Sequence, residues 1–279
     1  MSEVVPAETP ILTVSRLVEA SLDQLRSPSL TDADRQSVIG RLELANRLLN
    51  GLDPYLDSVS SGGPPGLQPL IHETIHHDWA RAYQEKKVSF KVNPSWSAGA
   101  YEGSFVALVA RAVGAKRVLE IGMFTGTTTL CVASSLPSDG KVVCLEIDQY
   151  FEDLARPYFE KAGVSSKIDV KVGKALDFLQ SYNGEPFDLI FIDADKTGYL
   201  GYFNAILDRG LLSKNGVLLV DNVLYKGLPI TDGLQSESTA ERVDNGGALK
   251  HFNQVVRQDK RVEVCVLPIR DGVSFIMHK

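Results

Sequence analysis

Cysteine is scarce in this sequence, which has only three among its 279 residues. Cys131, Cys144 and Cys265 lie far apart along the chain, and each one is set within an apolar segment. An odd number of unclustered thiols favours packing in a hydrophobic core over a disulfide framework or a cysteine-based metal site.

Long apolar runs and long basic runs are also missing. No apolar segment reaches the roughly 18 residues that a membrane-spanning helix needs, and residues 1–10 lack a basic stretch followed by an apolar core. We therefore expect no membrane span, no secretory signal and a cytoplasmic protein. The formal net charge of -6, without a basic cluster, argues against nucleic acid or an anionic membrane as a partner.

The composition that remains is that of an ordinary soluble protein, with 44% hydrophobic and 23% charged residues. The length exceeds what one compact α/β sheet needs, so we divide the chain into a helical extension over residues 1–88 and a main domain over residues 89–279. Residues 14–25 and 31–49 have apolar side chains at helical spacing, and the Gly-, Pro- and Ser-rich residues 58–66 predict a flexible joint.

A further helix is predicted over residues 70–86, and it contains the string H-E-T-I-H. This string matches the H-E-x-x-H pattern of zinc proteases, in which His72 and His76 would share a helix face and Glu73 would act as a base. The pattern needs a third metal ligand, and no H-x-x-G-x-x-H motif follows. We therefore favour partly exposed histidines on a structural helix.

From residue 98 onward, the sequence alternates between short apolar strands and amphipathic helices. Strands are predicted at residues 117–122, 141–146, 167–172, 187–192 and 216–221. Helices are predicted at residues 101–112, 127–136, 150–162, 174–181 and 197–209. Such alternation predicts a doubly wound, mostly parallel sheet. Two final strands, at residues 261–267 and 273–278, flank an Asp-Gly turn and predict an antiparallel hairpin at the edge of the sheet.

The first of these strands runs into the loop R-V-L-E-I-G-M-F-T-G at residues 117–126. Gly122 and Gly126 permit a sharp turn close to a ligand, and the threonines that follow are candidates to cap the next helix. A dinucleotide loop would have glycine where this chain has Glu120, and a carboxylate there would repel a pyrophosphate. It would instead accept hydrogen bonds from a cationic ligand such as S-adenosylmethionine. Glu146, 20 residues beyond Gly126, is placed to hold both ribose hydroxyls.

Polar side chains also follow the later strands, where ligands of open α/β sheets bind. Asp193, Asp195 and Lys196 follow the fourth strand, and Asp221 and Asn222 follow the fifth. Carboxylate and amide oxygens without histidine or thiolate are typical ligands of Mg²⁺, Mn²⁺ or Ca²⁺. The sequence therefore predicts a divalent metal site, most suitably for Mg²⁺, beside the predicted cofactor loop.

Several motifs in residues 95–279 together carry a resemblance. They are E-G at 102–103, L-E-I-G-x-x-T-G at 119–126, the acid at 146, K-A-G-V at 161–164, F-D-L-I-F-I-D-A-D-K at 187–196, D-N-V-L at 221–224 and L-P-I-R-D-G at 267–272. This set resembles the cation-dependent class I O-methyltransferases of the caffeoyl-CoA type, relatives of catechol O-methyltransferase with a Rossmann-like fold.

The resemblance implies roles for individual residues. S-adenosylmethionine would be bound by Glu120, Gly122, Thr128, Glu146, Ala175, Asp193 and Asp195. The metal would be held by Asp193, Asp221 and Asn222. In the family the metal holds two vicinal oxygens of a small-molecule acceptor, and Lys196 corresponds to a lysine beside the methylated oxygen. A lysine with a lowered pKa could take the acceptor's proton. A homodimer is the family expectation.

The chain departs from the family pattern in residues 96–101 and in its long N-terminus, and Tyr225 replaces a more common tryptophan. With these features it resembles the O-methyltransferases of cyanobacterial mycosporine biosynthesis, which convert demethyl-4-deoxygadusol to 4-deoxygadusol. A catechol-type or other phenolic acceptor is the alternative. Two other classes stay open: a nicotinamide-dependent dehydrogenase, against which Glu120 argues, and a non-catalytic regulator that binds the cofactor.

Overall fold

The computed structural model describes residues 9–231, 234 and 238–279. The chain forms two compact units, Met1–Ser60 and Ser61–Lys279. The expected boundary at residue 88 is therefore placed too late. Leu67, Leu70 and Trp79 are buried in the same hydrophobic cluster as the strand residue Val118, so the segment after Ser60 belongs to the unit that contains the sheet.

The first unit contains the two helices that the sequence predicts, α1 (Pro10–Leu25) and α2 (Asp32–Val59). Thr31 begins α2 with a capping box, in which its side chain accepts from the Asp34 N–H and Asp34 accepts from the Thr31 N–H. Gln24 of α1 donates to Asp34 at 2.6 Å. The second helix continues ten residues beyond the predicted end at residue 49, with Pro54 inside it.

The second unit contains eight helices and seven strands in its described residues. The helices are α3 (Leu67–His76), α4 (Trp79–Gln84), α5 (Gly99–Ala112), α6 (Thr127–Ser135), α7 (Gln149–Lys161), α8 (Ala175–Ser181), α9 (Tyr199–Asp208) and α10 (Ala240–Gln258). The strands are β1 (Arg117–Ile121), β2 (Lys141–Glu146), β3 (Ile168–Val172), β4 (Phe187–Ile192), β5 (Leu212–Val220), β6 (Val262–Leu267) and β7 (Val273–His278).

The strands form one sheet in the order β3-β2-β1-β4-β5-β7-β6. The first five are parallel, β7 is antiparallel to β5, and β6 pairs with β7 at the edge. The predicted doubly wound sheet and its C-terminal hairpin are confirmed. Because β6 is the outermost strand, Cys265 is exposed, whereas Cys131 and Cys144 are buried as predicted.

Hydrophobic clusters cover both faces of this sheet. Phe151 and Phe159 of α7 lie in one cluster, and Phe203 of α9 and Phe252 of α10 lie in the other. Central strands are therefore buried on both faces, which explains their unbroken apolar sequences. In the part of the chain that the structure describes, no helix has the length and hydrophobicity needed to cross a membrane.

The helix predicted over residues 70–86 is divided into α3 and α4. His77 has an extended backbone at the end of α3, and Asp78 starts α4 by accepting from the Arg81 N–H at 3.0 Å. The His77 ring contacts Glu73 and Tyr150, both at 2.8 Å. These side-chain contacts stabilise the interruption between α3 and α4, which the spacing of apolar residues did not indicate.

Gly122, directly after β1, generates a first testable prediction. Its φ is +93°, and a Cβ there would lie 2.0 Å from the Asp193 carbonyl oxygen. Gly114 also has a positive φ, +63°, but a Cβ at that position would extend into open space. We expect Gly114→Ala to lower the free energy of unfolding by about 1 kcal/mol, and Gly122→Ala to lower it by about 3 kcal/mol or more because backbone must move.

Urea unfolding of both variants measures this difference. Equal losses in the two variants would contradict a close contact between the β1 and β4 loops.

Candidate active site

Three backbone hydrogen bonds continue the ladder of the sheet beyond the strand ends. The N–H of Gly122 donates to Leu145, that of Asp193 to Ile121 and that of Asp221 to Ile192, each at 2.9 Å. The loops after β1, β4 and β5 are thereby fixed against one another. They place the predicted cofactor loop beside the predicted metal ligands at one edge of the sheet.

The loop after β1 forms the floor of a narrow pocket. Its lining residues come from this loop, from the start of α6, from β4 and from the segment before α5: Trp96, Ser97, Ala98, Glu120, Gly122, Met123, Phe124, Thr127, Thr128, Phe191 and Asp193. Four of the residues predicted to bind the cofactor are in this set: Glu120, Gly122, Thr128 and Asp193. The pocket therefore combines acidic side chains with a glycine backbone that a ligand can approach closely. Both features suit a small cationic ligand.

Gly126, with a φ of +81°, is the N-cap of α6, and no side chain caps this helix. The predicted capping role of Thr127, Thr128 and Thr129 is therefore wrong. Thr129 instead donates to Glu120 Oε2 at 2.5 Å. The hydroxyl of α6 thus contacts the buried acid of β1.

Glu120 is the buried acid of the pocket, with a residue exposure of 3%. Its Oε2 also accepts a weak contact from the Cys144 thiol at 3.5 Å. Burial raises the pKa of Glu120 to about 8, even though the hydrogen bond from Thr129 acts in the opposite direction. A positively charged ligand in the pocket would favour the ionised form.

Glu146 lies at the end of β2 and is also buried. Its carboxylate accepts from the backbone N–H groups of Phe124 at 2.8 Å, Ile147 at 2.7 Å and Asp148 at 3.2 Å. Burial raises the pKa of Glu146, and these three donors oppose that rise. Glu146 therefore anchors the cofactor loop through Phe124, which has a positive φ of 51°.

The other two predicted cofactor contacts lie farther along the same edge. Ala175 is the first residue of α8, which follows β3. Asp195 is exposed and accepts from the Tyr202 hydroxyl. Their roles toward a cofactor stay predictions, as does the ribose contact of Glu146.

Lys196 is held between two partners after β4. Its Nζ donates to Asp193 Oδ1 and to the Tyr199 hydroxyl, both at 2.8 Å. Burial alone would lower the pKa of Lys196. The nearby Asp193 and Asp221 carboxylates raise this pKa by more than burial lowers it, so the net change is upward. This arrangement favours the protonated form of Lys196, which donates to both partners.

Asp221 and Asn222 follow β5, and Asp221 is 3% exposed. Burial, together with the neighbouring Asp193, raises the pKa of Asp221. Its Oδ1 is buried and accepts no hydrogen bond from an N–H or hydroxyl group of the described residues, and the Glu102 carboxyl forms a side-chain hydrogen bond with Asp221. Asn222 has a φ of 60°, a conformation that asparagine adopts more readily than most residues.

A divalent cation fits this set of oxygens. Within residues 9–231, 234 and 238–279, no three His, Cys, Asp or Glu side chains are grouped so that they could hold a metal ion. A cation would therefore need the Asn222 amide oxygen in addition to Asp193 and Asp221, with water or acceptor oxygens completing its shell. The buried Asp221 Oδ1, which accepts from no N–H or hydroxyl group of the described residues, supports this fit.

Glu102, in the first turn of α5, is a site residue that the sequence identified only as part of the E-G motif. It is 2% exposed, and its pKa is raised well above the ordinary value by burial and then by Asp221 and Asp193. Its position beside Asp193 and Asp221 arises from packing of α5 against the sheet. The signal for Glu102 in the sequence was an acid placed among the apolar residues of a predicted helix.

The H-E-T-I-H string does not form a comparable site. Glu73 Oε1 forms a hydrogen bond with the His77 ring at 2.8 Å, and Glu73 Oε2 accepts from the Tyr158 hydroxyl at 3.3 Å. The rings of His72 and His76 stack at 4.1 Å. Glu73 thus joins α3 to α7, which favours the structural interpretation of this helix.

The raised pKa of Glu120 predicts a pH dependence of stability. Between its ordinary value of 4.5 and the folded value of about 8, the folded protein keeps a proton that the unfolded chain releases. This contribution to stability is complete at low pH and is lost as the pH rises toward 8. Without ligand, we expect the free energy of unfolding to fall with pH about 1.4 kcal/mol per unit more steeply than in Glu120→Gln.

Urea unfolding at several pH values from 5 to 9, with chelator present, compares the two proteins. The other buried acids are common to both, so parallel curves would contradict the buried, protonated state of Glu120.

Comparisons with known proteins agree with this geometry. Residues 71–279 match the protein family described as O-methyltransferase. The chain is 34% identical over 222 residues to caffeoyl-CoA O-methyltransferase 1 of Arabidopsis thaliana, which covers 78% of this chain and 79% of that protein. It is 31% identical over 252 residues to the caffeoyl-CoA O-methyltransferase of Eucalyptus gunnii, covering 88% and 94%.

Solved structures show the same relationship. The SAH-bound methyltransferase PaMTH1 of Podospora anserina has a TM-score of 0.69 and 31% identity, covering 85% of this chain and 96% of that chain. The O-methyltransferase TomG of Streptomyces achromogenes, solved in complex with SAM, has a TM-score of 0.65 and 26% identity, covering 82% and 96%. The chain therefore belongs to the O-methyltransferase family and is related to the caffeoyl-CoA O-methyltransferases.

Proposed function

We propose that this protein transfers the methyl group of S-adenosylmethionine to one of two vicinal oxygens of a small acceptor, with the help of a divalent cation. The observation that carries the proposal is that the pocket-lining residues and a set of charged side chains lie at the same edge of the sheet. Glu120 and Gly122 line the pocket, and Asp193, Lys196 and Asp221 lie at the adjoining strand ends.

The donor assignment is supported by charge and by the relatives. Glu120 is a buried carboxyl in a pocket that also presents the close-approach backbone of Gly122, and a sulfonium with an ammonium group suits such a pocket. Two related structures contain SAH or SAM. The proposed donor contacts are Glu120, Gly122, Thr128, Glu146, Ala175, Asp193 and Asp195.

Methyl transfer depends mainly on the orientation of the acceptor oxygen. The sulfonium methyl group is already activated, and the oxygen must approach it in line. Asp193, Asp221 and Asn222 would hold the cation, which would lower the pKa of a bound hydroxyl and orient its neighbour. Lys196 uses two N–H groups on Asp193 and Tyr199. Its remaining N–H is available to donate to the acceptor oxygen and to stabilise its negative charge.

The acceptor is proposed to be a vicinal diol or an enediol. The Trp96 ring is half exposed beside the pocket and lies 5.9 Å from the Phe90 ring and 6.3 Å from the Phe124 ring. This aromatic wall is suited to a flat ring. A catechol-type phenol is flat, and demethyl-4-deoxygadusol, a cyclohexenone, has a planar enone. The resemblance to the mycosporine enzymes makes the latter our proposed acceptor, with a phenol as the alternative.

The acceptor pocket is expected to be formed by residues 96–101 and 225–247, of which residues 232, 233 and 235–237 lie outside the described residues. A non-catalytic regulator is the second candidate, because the helices α1 and α2 lie outside the residues that match the family. A homodimer and a cytoplasmic location also stay proposals. A methyl-transfer screen with catechols and cyclic enolones, with and without Mg²⁺, distinguishes these possibilities, since a regulator would show no turnover.

Removal of the cation or of its ligand generates a prediction. We expect EDTA to abolish methyl transfer by the wild-type protein and Asp193→Ala to lower turnover at least about 1,000-fold, because the acceptor hydroxyl would lose both activation and orientation. Donor binding, measured by calorimetry, should persist with a weaker Kd, because Asp193 is one of seven proposed donor contacts. Asp57→Ala, at an exposed position of α2, is the control. Full activity in chelator would exclude the cation from the mechanism.

Lys196→Ala tests the proposed lysine contact with the acceptor. We expect turnover to fall about 100-fold or more while the Kd of S-adenosylmethionine changes only a few-fold, because the lost N–H acts in the transition state. Steady-state kinetics and calorimetry provide the two values. Lys214→Ala, at an exposed position, is the matched control. Unchanged turnover would make Lys196 a structural partner of Asp193.

A further inference from the structure

The sheet of the second unit ends at β3, and one side of this strand is open. Among the described residues, β2 is the only strand that pairs with β3. Ile168 and Val170 are half-buried, and Val172 is 43% exposed. An open strand edge presents N–H and C=O groups to which a further strand can bond.

Alternate residues of β3 direct their backbone groups toward this open side. Directly after the strand, the Gly173 N–H donates to the Glu146 carbonyl of β2 at 2.8 Å. Because successive residues of a strand direct their N–H and C=O groups to opposite sides, Asp169 and Lys171 also bond toward β2. The backbone groups that point away from the sheet belong to the three apolar residues of the strand: Ile168, Val170 and Val172.

The side chains of β3 alternate between the two faces of the sheet. Asp169 and Lys171 lie on one face, where they pair at 2.9 Å with side chains that are 53% and 48% exposed. The apolar side chains lie on the other face, where Ile168 and Val170 pack against the cluster that contains Phe159 of α7. The open edge thus carries one acid and one base on one face and an apolar row on the other.

A second copy of β3 matches this edge in one antiparallel register. When Val170 faces Val170 of the second copy across a two-fold axis, Asp169 faces Lys171 and Ile168 faces Val172. Each outward backbone group then meets an outward group of the other strand, and opposite charges face each other on both sides of the axis. A shift of the register by two residues would place Asp169 opposite Asp169, or Lys171 opposite Lys171. The charges therefore select the register centred on Val170.

A groove beside this edge would be covered by the same association. The groove has a volume of about 190 Å³ between α7 and β3, and its lining includes Phe159, Ile168 and Val170 together with the ion pair of Glu152 and Arg156. Because Val170 lies on the two-fold axis, the grooves of the two copies would adjoin. Glu152 and Arg156 carry opposite charges, so they do not oppose this approach.

We propose that β3 is the surface through which two copies of this chain associate, with their sheets joined across a two-fold axis. The opposite edge of the sheet is less suited, because Glu263 is the only charged residue of β6 and a second copy of that strand offers it no opposite charge. The inference goes beyond the proposed function, since it assigns the surface of the homodimer and does not depend on methyl transfer.

Sedimentation equilibrium of the full chain tests the interface. We expect the wild-type protein to associate to twice its chain mass of 30.5 kDa. Asp169→Lys should weaken association at least about ten-fold, because two like-charged pairs replace two ion pairs. Lys171→Asp should have the same effect. The double variant Asp169→Lys/Lys171→Asp should restore a Kd within a few-fold of wild type.

Proline substitution tests the backbone pairing. Val170→Pro removes an outward N–H, so it should weaken association at least about ten-fold while the ladder with β2 persists. Val264→Pro is the matched control. The Lys279 N–H donates to Arg261 in the hairpin of β6 and β7, so the Val264 N–H also points outward, at the opposite edge. This control should keep the wild-type Kd. Urea unfolding reports whether both variants are folded.

Recovery of association in the charge exchange distinguishes pairing from structural damage, because damage by two substitutions would add and not cancel. This readout decides the matter even if Val170→Pro unfolds. A monomeric wild-type protein, or a dimer whose Kd is unchanged in Asp169→Lys and Val170→Pro, would overturn the inference. Methyl transfer is measured on the same samples: an active monomer would refute the interface alone, and a dimer without turnover would refute the proposed function alone.

Discussion

The site depends on the continuation of the β-ladder past the ends of three strands. Gly122, Asp193 and Asp221 each donate a backbone hydrogen bond to the neighbouring strand. This arrangement requires glycine at position 122, where a Cβ would meet the Asp193 carbonyl at 2.0 Å. Direct backbone contact thus places the loop after β1 and the acidic loop after β4 closer together than would be possible with side chains between them. The proposed donor and cation are neighbours for that reason.

Close packing of this kind concentrates acids where water is excluded. Glu102, Glu120, Glu146 and Asp221 are all buried, and burial raises the pKa of each. Such groups are destabilising as anions unless cations accompany them. A methyl donor with a sulfonium charge and a divalent metal are both positive. The electrostatic cost of the clustered acids therefore favours the ligands that the proposed reaction needs.

The sequence was sufficient to predict the sheet and the strand-end acids. Buried parallel strands have continuous apolar runs, and their carboxyl ends meet at one edge, so the positions of Asp193 and Asp221 followed from the pattern. Three features did not follow, because each arises from tertiary contact. The break at His77 depends on Tyr150, and the raised pKa of Lys196 depends on Asp193 and Asp221. The third feature, the burial of Glu102, depends on how α5 packs.

The same distinction explains why the reaction class is better defined than the acceptor. The proposed donor and metal residues lie on strand ends whose geometry the sheet imposes, and a solved methyltransferase structure at 31% identity has a similar fold, with a TM-score of 0.69. The proposed acceptor wall comes instead from the segment around Trp96 and from the segment after β5, which follow no strand or helix period. Their shapes are set by local contacts such as the Tyr225 hydroxyl with Asn245 at 3.1 Å. With the proposed function, a change in these contacts would alter the acceptor without disturbing the ladder that holds the proposed donor and cation residues.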